Sequence, residues 1–356
     1  MNRRATHPIL MILLAFGCAV LAGCTAEEAQ QAPQRADAGI VNLYSARHYE
    51  NDEKIYAQFT AETGITVNKI QGRGDALIER LASEGAASPA DLFLTADAGI
   101  LWRAQTRGIL RPLRDEALES AVPAAFRHPD GLWYGLTKRA RIIIYNRELG
   151  LPASLATYAD LADPAYKGMV CVRPSSNIYN QSLLASIIAH KGAAAAEAWA
   201  RGVVANFARK PQGNDTAQIE AVAAGLCRVA IVNSYYVARF VDPASPNKES
   251  IGDKIGVLFP DQGANRRGAH VNISGGGLAM HATNIENARA FLRFLVREDI
   301  QASFAAGNNE YPIRSDVAPQ GPVASFGAFT EDQLPVTALG ENQREAVAIF
   351  ERAGWL

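Results

Sequence analysis

From residue 40 onward, short β-prone runs alternate with segments of helical periodicity, and this alternation constrains the fold more than any other feature of the chain. IVNLYSA precedes ENDEKIYAQFTAETG, which has acidic residues in its first turn, Ile55 and Phe59 at helical spacing and Gly64 as a stop. ITVNKIQ, DALIERLASEG, DLFLTA and DAGILWRAQTRG continue the pattern to Gly108. LWYGLTKRARIIIYN reads as one long strand or two consecutive strands. A second unit follows, with strand MVCVRP, helices NIYNQSLLASIIAHKG, AAAAEAWARGVVANFA and DTAQIEAVAAG, and strand CRVAIVN. KIGVLFP and HVNISGGGLAM read as further strands, and NIENARAFLRFLVRED as an amphipathic helix with Ala288, Phe291, Leu292 and Leu295 on one face. Such alternation predicts an α/β fold with mostly parallel sheet, right-handed crossovers and a ligand crevice at the carboxyl ends of the strands. Two comparable units joined by extended segments predict a hinged pair of lobes, and no solenoid-type repeat is visible.

The amino-terminal segment sets the compartment. Arg3 and Arg4 precede the apolar run Ile9–Gly23, whose 15 residues fall short of the roughly 20 that span a bilayer, so residues 1–23 read as a secretory signal. The run ends in Leu21-Ala22-Gly23-Cys24, which resembles a lipobox, with Cys24 as the lipidated residue; an ordinary signal peptide with a chance Cys is the alternative. Residues 24–38, small and polar, read as a flexible tether to the lipid. Removal of residues 1–23 leaves 33 basic and 36 acidic residues, a net charge of −3, without the basic excess that phosphate-backbone binding needs. The expected location is the periplasm or cell envelope, with membrane attachment through lipid alone and no nucleic acid among the partners. Cys171 and Cys227 remain after export, each near the start of an apolar run; a disulfide and two separate buried thiols are both open.

No HExxH, GxSxG, Walker-type phosphate loop or EF-hand loop occurs, and the six His residues lack the short spacing of local zinc sites. The informative residues are tyrosines. Tyr49 in SARHYEND, Tyr179 in SSNIYNQ and the pair Tyr235-Tyr236 in VNSYYVARF all fall just past predicted strand ends, on the rim of the expected crevice. A single Tyr there is ordinary packing with a wetted hydroxyl; four together point to a phenolate site, and a helix amino end at Tyr235 and Tyr236 favours the anion. An unperturbed phenol ionises near pH 10, so several phenolates in one place require a strongly charged cation, and binding must release protons. Ferric iron, small, hard and trivalent, prefers anionic oxygen, whereas thiolate and imidazole select softer or divalent metals. Four phenolates against a 3+ ion leave one negative charge that an Arg could balance. His48 is either a neutral fifth ligand or an exposed loop residue.

With LYSARHYENDE, SPADLFLTADAGILWRA, LADPAYKG, CVRPSSNIYNQSL, VANFARKPQGNDTAQIEAVAAG, VAIVNSYYVARF and NNEYPIR, the chain resembles, from about residue 40, the ferric-iron substrate-binding proteins of bacterial ABC importers, in their tyrosine-rich branch. The resemblance implies a class II periplasmic binding protein that is no enzyme, closes two lobes on Fe3+ as a monomer and delivers it to an ABC permease and its ATPase. It implies metal ligands His48, Tyr49, Tyr179, Tyr235 and Tyr236, lobes formed by 39–138 with 261–310 and by 139–260 with 311–356, and a Cys171–Cys227 disulfide. It also implies a synergistic anion such as carbonate, held by Arg139 or, in the other register, Arg141; strand alternation would put both on one face. Asp97 corresponds to a carboxylate ligand of another branch or caps the following helix, and Asn233 either bonds the site or ends its strand. Alternatives on the same fold are an oxyanion bound at 175–177 and 273–277, or a small organic cation beside Asp97; an iron-dependent envelope enzyme would need an open coordination position and a base.

Overall fold

The computed structural model describes residues 39–356, so the signal segment 1–23, the tether 24–38 and the lipidation residue Cys24 lie outside the described residues. Three strands, β1 (Ile40–Ser45), β2 (Thr66–Gln71) and β3 (Leu92–Thr95), pair in parallel in the order β2-β1-β3, linked by α1 (Glu50–Thr63) and α2 (Gly74–Glu84). Helix α1 stops where its pattern predicts: Gly64 adopts φ 79°, and its N–H bonds the Thr60 carbonyl at 2.8 Å. Its apolar stripe is buried, with the Phe59 ring 4.9 Å from that of Phe291. Next come α3 (Ala98–Thr106), the short β4 (Leu110–Arg111) and α4 (Glu116–Ala121).

The LWYGLTKRARIIIYN segment forms one unbroken strand, β5 (Tyr134–Asn146), and this strand joins the two halves of the molecule. The second half adds β6 (Val170–Cys171), α5 (Ile178–Lys191), α6 (Ala193–Ala205), α7 (Asp215–Ala223), β7 (Val229–Asn233), α8 (Ser234–Val241) and β8 (Ile255–Leu258). The chain then returns through β9 (Val271–Ala279), α9 (Ile285–Leu295), α10 (Glu298–Asn308) and β10 (Tyr311–Pro312), and ends in α11 (Thr337–Glu341) and α12 (Gln343–Ala353). Residues 134–140 of β5 run antiparallel to β9, which itself pairs antiparallel with β3; from Arg141 onward β5 pairs antiparallel with β7 and β8. The expectation of mostly parallel sheet is therefore corrected. Among the named strands of the described residues, parallel pairing is confined to β2-β1-β3 and β6-β7, because β5 and β9 are the strands that leave one lobe and return to it. The architecture is that of a class II periplasmic binding protein, two α/β lobes on a hinge.

Helix α12 packs its apolar face into the second lobe, where buried Trp355 lies 4.8 Å from Phe350 and 5.1 Å from Phe207, ring to ring. The GGG of β9 is needed for close backbone approach: a Cβ on Gly276 would meet a Leu94 methyl at 2.0 Å, and one on Gly277 the Leu132 carbonyl at 2.0 Å. Residues 273–277 lie wholly within paired strand, so they offer no nest for an oxyanion. Among the described residues no helix is long and apolar enough to cross a membrane.

Cys171, at the end of β6, is disulfide-bonded to Cys227, just before β7, with Cα atoms 5.8 Å apart and both residues buried. The bridge closes a segment of 56 residues that contains α5, α6 and α7. Replacement of both cysteines by alanine is expected to lower the unfolding free energy by about 4 kcal/mol, the loop-entropy figure for a loop of this length, as read from urea unfolding.

Candidate metal centre

The four tyrosines sit at the starts of three helices. Tyr49 is the N-cap of α1, Tyr179 is the second residue of α5, and Tyr235 and Tyr236 are the second and third residues of α8. Local sequence enforces two of these starts: the Asn177 side chain caps α5 by accepting the Tyr179 N–H at 3.1 Å, and β7 ends at Asn233 where α8 begins. Each helix start presents unpaired N–H groups and a partial positive charge, which favours an anionic oxygen nearby.

The rings meet across the two lobes. Tyr49, from the first, lies edge-on to Tyr235, from the second, at 6.1 Å between centroids; Tyr235 packs on Tyr236 at 4.3 Å, and its hydroxyl donates to that of Tyr179 at 3.3 Å. Neighbouring oxygens around a small hard cation at about 2 Å radius are themselves roughly 3 Å apart, so this spacing suits two ligands of one ion. His48 is exposed and lies parallel to Tyr49 with centroids 5.5 Å apart. Tyr49 and Tyr235 are buried; Tyr179 and Tyr236 are half-buried.

Burial pushes the Tyr235 phenol well above its ordinary value, reinforced by the neighbouring phenols of Tyr179, Tyr49 and Tyr236. Tyr49 is raised likewise, by burial and then by the Glu310 carboxylate. Burial and Tyr236 bring Tyr179 up to about 12. At neutral pH these three phenols are therefore protonated. Guanidinium groups already face every ring: Arg47 over Tyr49 at 4.8 Å, Arg173 over Tyr179 at 5.3 Å, and Arg239 over Tyr235 and Tyr236 at 5.5 and 5.3 Å.

Behind the rings lie two buried ionic networks. Arg47 grips Asp52 at 2.8 and 3.0 Å and reaches Glu310 at 3.3 Å, while Glu310 also accepts from Thr137 at 2.9 Å and Ser274 at 3.1 Å. Arg141 is held by Asp215 at 2.5 Å, Asn180 at 2.8 Å and Asn233 at 3.1 Å, and Asp215 also pairs with Arg173. Arg139 has Ser274 Oγ at 3.4 Å as its hydrogen-bond acceptor and sits in the field of the Glu310 and Asp97 carboxylates; the Nε atoms of both arginines have no partner. The two arginines that strand alternation placed on one face thus differ in one respect: Arg141 is hydrogen-bonded to a carboxylate and Arg139 is not. Asn233 does both things expected of it, ending β7 and accepting from Arg141.

A family model for bacterial extracellular solute-binding proteins matches residues 54–331. The chain belongs to that family. This solute-binding protein is 50% identical over 315 residues to iron uptake protein A1 of Synechocystis, covering 88% of this chain and 87% of the relative. Among solved structures it resembles Trichodesmium FutA in complex with iron and citrate, at TM-score 0.86 and 50% identity, covering 89% of this chain and all of that one. It also resembles the ferric binding protein of Campylobacter jejuni, at TM-score 0.83 and 41% identity, over 89% of this chain and all of that one.

Of the residues singled out in the sequence of this solute-binding protein, the tyrosines, His48 and Arg139 come together at the cleft, and Asp97 does not join them as a ligand. It caps α3, accepting the Gly99 N–H at 2.8 Å, and its carboxylate also accepts from Ser182 at 2.9 Å and Asn272 at 3.0 Å, so its oxygens are spent. Sequence reasoning missed Arg47, Arg173, Arg239, Asp215 and Glu310. Arg239 was findable, since positions three and four after Tyr236 and Tyr235 share their helix face; Asp215 and Glu310 are distant in sequence from the arginines they face. Arg141→Met, which strands Asp215 with less compensation, is expected to destabilise the fold by about 3 kcal/mol in urea unfolding, and Arg139→Gln by less than about 1 kcal/mol.

Proposed function

We propose that this protein captures ferric iron in the cell envelope, through the phenolates of Tyr49, Tyr179, Tyr235 and Tyr236 with His48 as fifth ligand, and delivers it to an ABC permease and its ATPase. The observation that carries this reading is the convergence of four tyrosines at three helix starts, from both lobes, with a guanidinium facing each ring. Oxygen donors that ionise only in the presence of a strong Lewis acid suit a trivalent hard ion and discriminate against divalent and soft ones. Ligation displaces the phenol protons to solvent. The resulting single negative charge faces Arg139, which has no direct carboxylate hydrogen bond and is the first candidate to hold a synergistic anion where one completes the site; Arg141, held by Asp215 and equally near the Tyr179 ring, is the alternative.

The lobes assigned as 39–138 with 261–310 and 139–260 with 311–356 supply the two halves of the shell, save that Tyr311 and Pro312 pair with the first-lobe end of β5 and move with it. Because Tyr49 lies on one lobe and Tyr179, Tyr235 and Tyr236 on the other, iron binds the closed form better and shifts the population toward it. A permease that recognises the closed shape then distinguishes loaded from empty protein. Five protein ligands leave at most one coordination position, which a synergistic anion can fill, in keeping with transport and not catalysis. A monomer tethered by a lipid on Cys24 satisfies every element of this scheme.

Titration with ferric citrate is expected to produce a saturable visible tyrosinate-to-iron charge-transfer band. Tyr235→Phe with Tyr236→Phe should abolish it, and Tyr49→Phe should weaken iron binding roughly 100-fold. Absence of a band at any iron level would falsify the phenolate shell. The raised phenols fix the sign of the pH dependence: each displaced proton makes apparent affinity, at constant free ferric ion, fall about tenfold per pH unit as pH drops. With Tyr179 at about 12 and Tyr49 and Tyr235 above the ordinary value, no plateau is expected between pH 5 and 9. Competition binding across that range, with proton release measured in weak buffer, checks this; a pH-independent affinity would contradict it.

A further inference from the structure

Two segments that stand apart in the sequence meet behind Tyr49: Arg47 of SARHYEND and Glu310 of NNEYPIR, 263 positions away. Tyr49 is the N-cap of α1 but makes no side-chain capping hydrogen bond, so the helix start does not hold its ring. Arg47 lies against it instead. The buried guanidinium makes four hydrogen bonds: Nε and Nη2 to the two oxygens of Asp52 at 2.8 and 3.0 Å, Nη2 also to Glu310 at 3.3 Å, and Nη1 to Thr137 Oγ1 at 3.3 Å. Donors lying in the plane of the group leave its flat surface for rings, and two rings meet it, Tyr49 at 4.8 Å and Phe304 of α10 at 5.1 Å.

Each neighbour of Arg47 is itself anchored. The Asp52 N–H donates to the Tyr49 carbonyl at 3.2 Å, and the Asp52 carboxylate also accepts from Asn308 at 2.8 Å. Glu310 accepts from Thr137 on β5 at 2.9 Å and from Ser274 on β9 at 3.1 Å. The first turn of α1 is docked on α10, where Asn51 donates to the Ser303 carbonyl at 3.0 Å and a Cβ on Gly307 would meet the Asn51 side chain at 2.2 Å. Resting on the reading of Tyr49 as an iron ligand, we propose that Arg47 is a positioning residue, which fixes the Tyr49 ring before iron arrives. The first lobe then offers a preformed part of the shell, and binding does not cost the freedom of that ring. The geometry asks for arginine in particular. Lysine would keep the charge, but it has neither the fork that holds Asp52 and Glu310 together nor a flat surface for the ring, so placement is separable from charge.

The test is a double-mutant cycle in ferric affinity, measured by competition with nitrilotriacetate, with Arg47→Lys made in the wild type and in Tyr49→Phe. In the wild type Arg47→Lys is expected to weaken iron binding roughly tenfold and to shift the charge-transfer band; where Tyr49 is already Phe it should change affinity less than about twofold. An equal loss in both backgrounds, as general loosening of α1 or an effect through His48 would produce, overturns the proposal, and so does unchanged affinity in the wild type. Phe304→Leu keeps every charge and carries the same test should Arg47→Lys fail to fold, with a loss of about threefold in the wild type and none in Tyr49→Phe; equal losses again overturn the role. A wild type that shows no band removes the phenolate shell and this role together, whereas a wild type with the band and additive losses removes this role alone.

Discussion

The continuity of β5 is the constraint on which the rest of the structure depends. Its first half is bonded to β9 and its second half to β7 and β8, so the strand changes sheets between Ala140 and Arg141 without a break in its backbone. A strand shared in this way cannot slip in one lobe without shifting the other, because register fixes every side chain on its face. Arg139 and Arg141 flank the change of partner, and their different surroundings follow from it. Arg139 is opposite Asn272 of the first lobe's return strand, and Arg141 is opposite Asn233 at the end of β7, within reach of Asp215. Two residues that alternation makes equivalent become, by position along the hinge, a structural cation and an available one.

The cleft behind that hinge is an exercise in keeping charge buried without collapsing it into neutral pairs. Glu310 and Asp52 are buried, yet both are hydrogen-bonded several times over, through Arg47, Thr137, Ser274 and Asn308. Such satisfaction is what makes buried ions tolerable. Arg139 stands apart because its acceptors are few; its Nε, like those of Arg141 and Arg173 and the Asn233 amide, is a buried donor without a partner. Arg139, Arg141 and Asn233 line one small cavity together with Tyr179. The same burial that raises the phenols also strengthens their attraction to a cation, since both effects come from the low local dielectric.

Much of this arrangement was legible in the sequence, and the boundary of legibility has a physical cause. Periodicity located α1, α2, α3, α5, α6, α7 and α9 and the principal strands, because each has an apolar face to bury. It also placed the four tyrosines at strand ends, where helix starts collect them. It did not separate parallel from antiparallel pairing, since β5 and β9 have the same composition whichever way they run. Nor were α10, α11 and α12 read from it: α11 has five residues, too few to show a period, whereas α12 carries Ala346, Ile349, Phe350 and Ala353 on one buried face and was legible in principle. The roles of Glu310 and Asp215 are invisible one-dimensionally, because their meaning lies in arginines 263 and 74 positions away in sequence.

The contacts that cross the cleft bear on how closure responds to ligand. Ser182 on α5 bonds Asp97 at the start of α3 at 2.9 Å, Gln343 bridges Arg103 and Gln181, and Tyr49 touches Tyr235 edge-on. Beside these polar and single-ring contacts lies an apolar one: α11 packs against both α3 and α5, with Val336 and Leu339 buried, and a Cβ on Gly340 would meet the Trp102 side chain at 2.1 Å. Each polar contact is worth on the order of 1 kcal/mol once water competes for the same groups. A ligand held from both lobes adds its differential affinity to this interface and thereby raises the population of the closed form. Asp97, displaced from the role of ligand, has its place in that closed interface through Ser182.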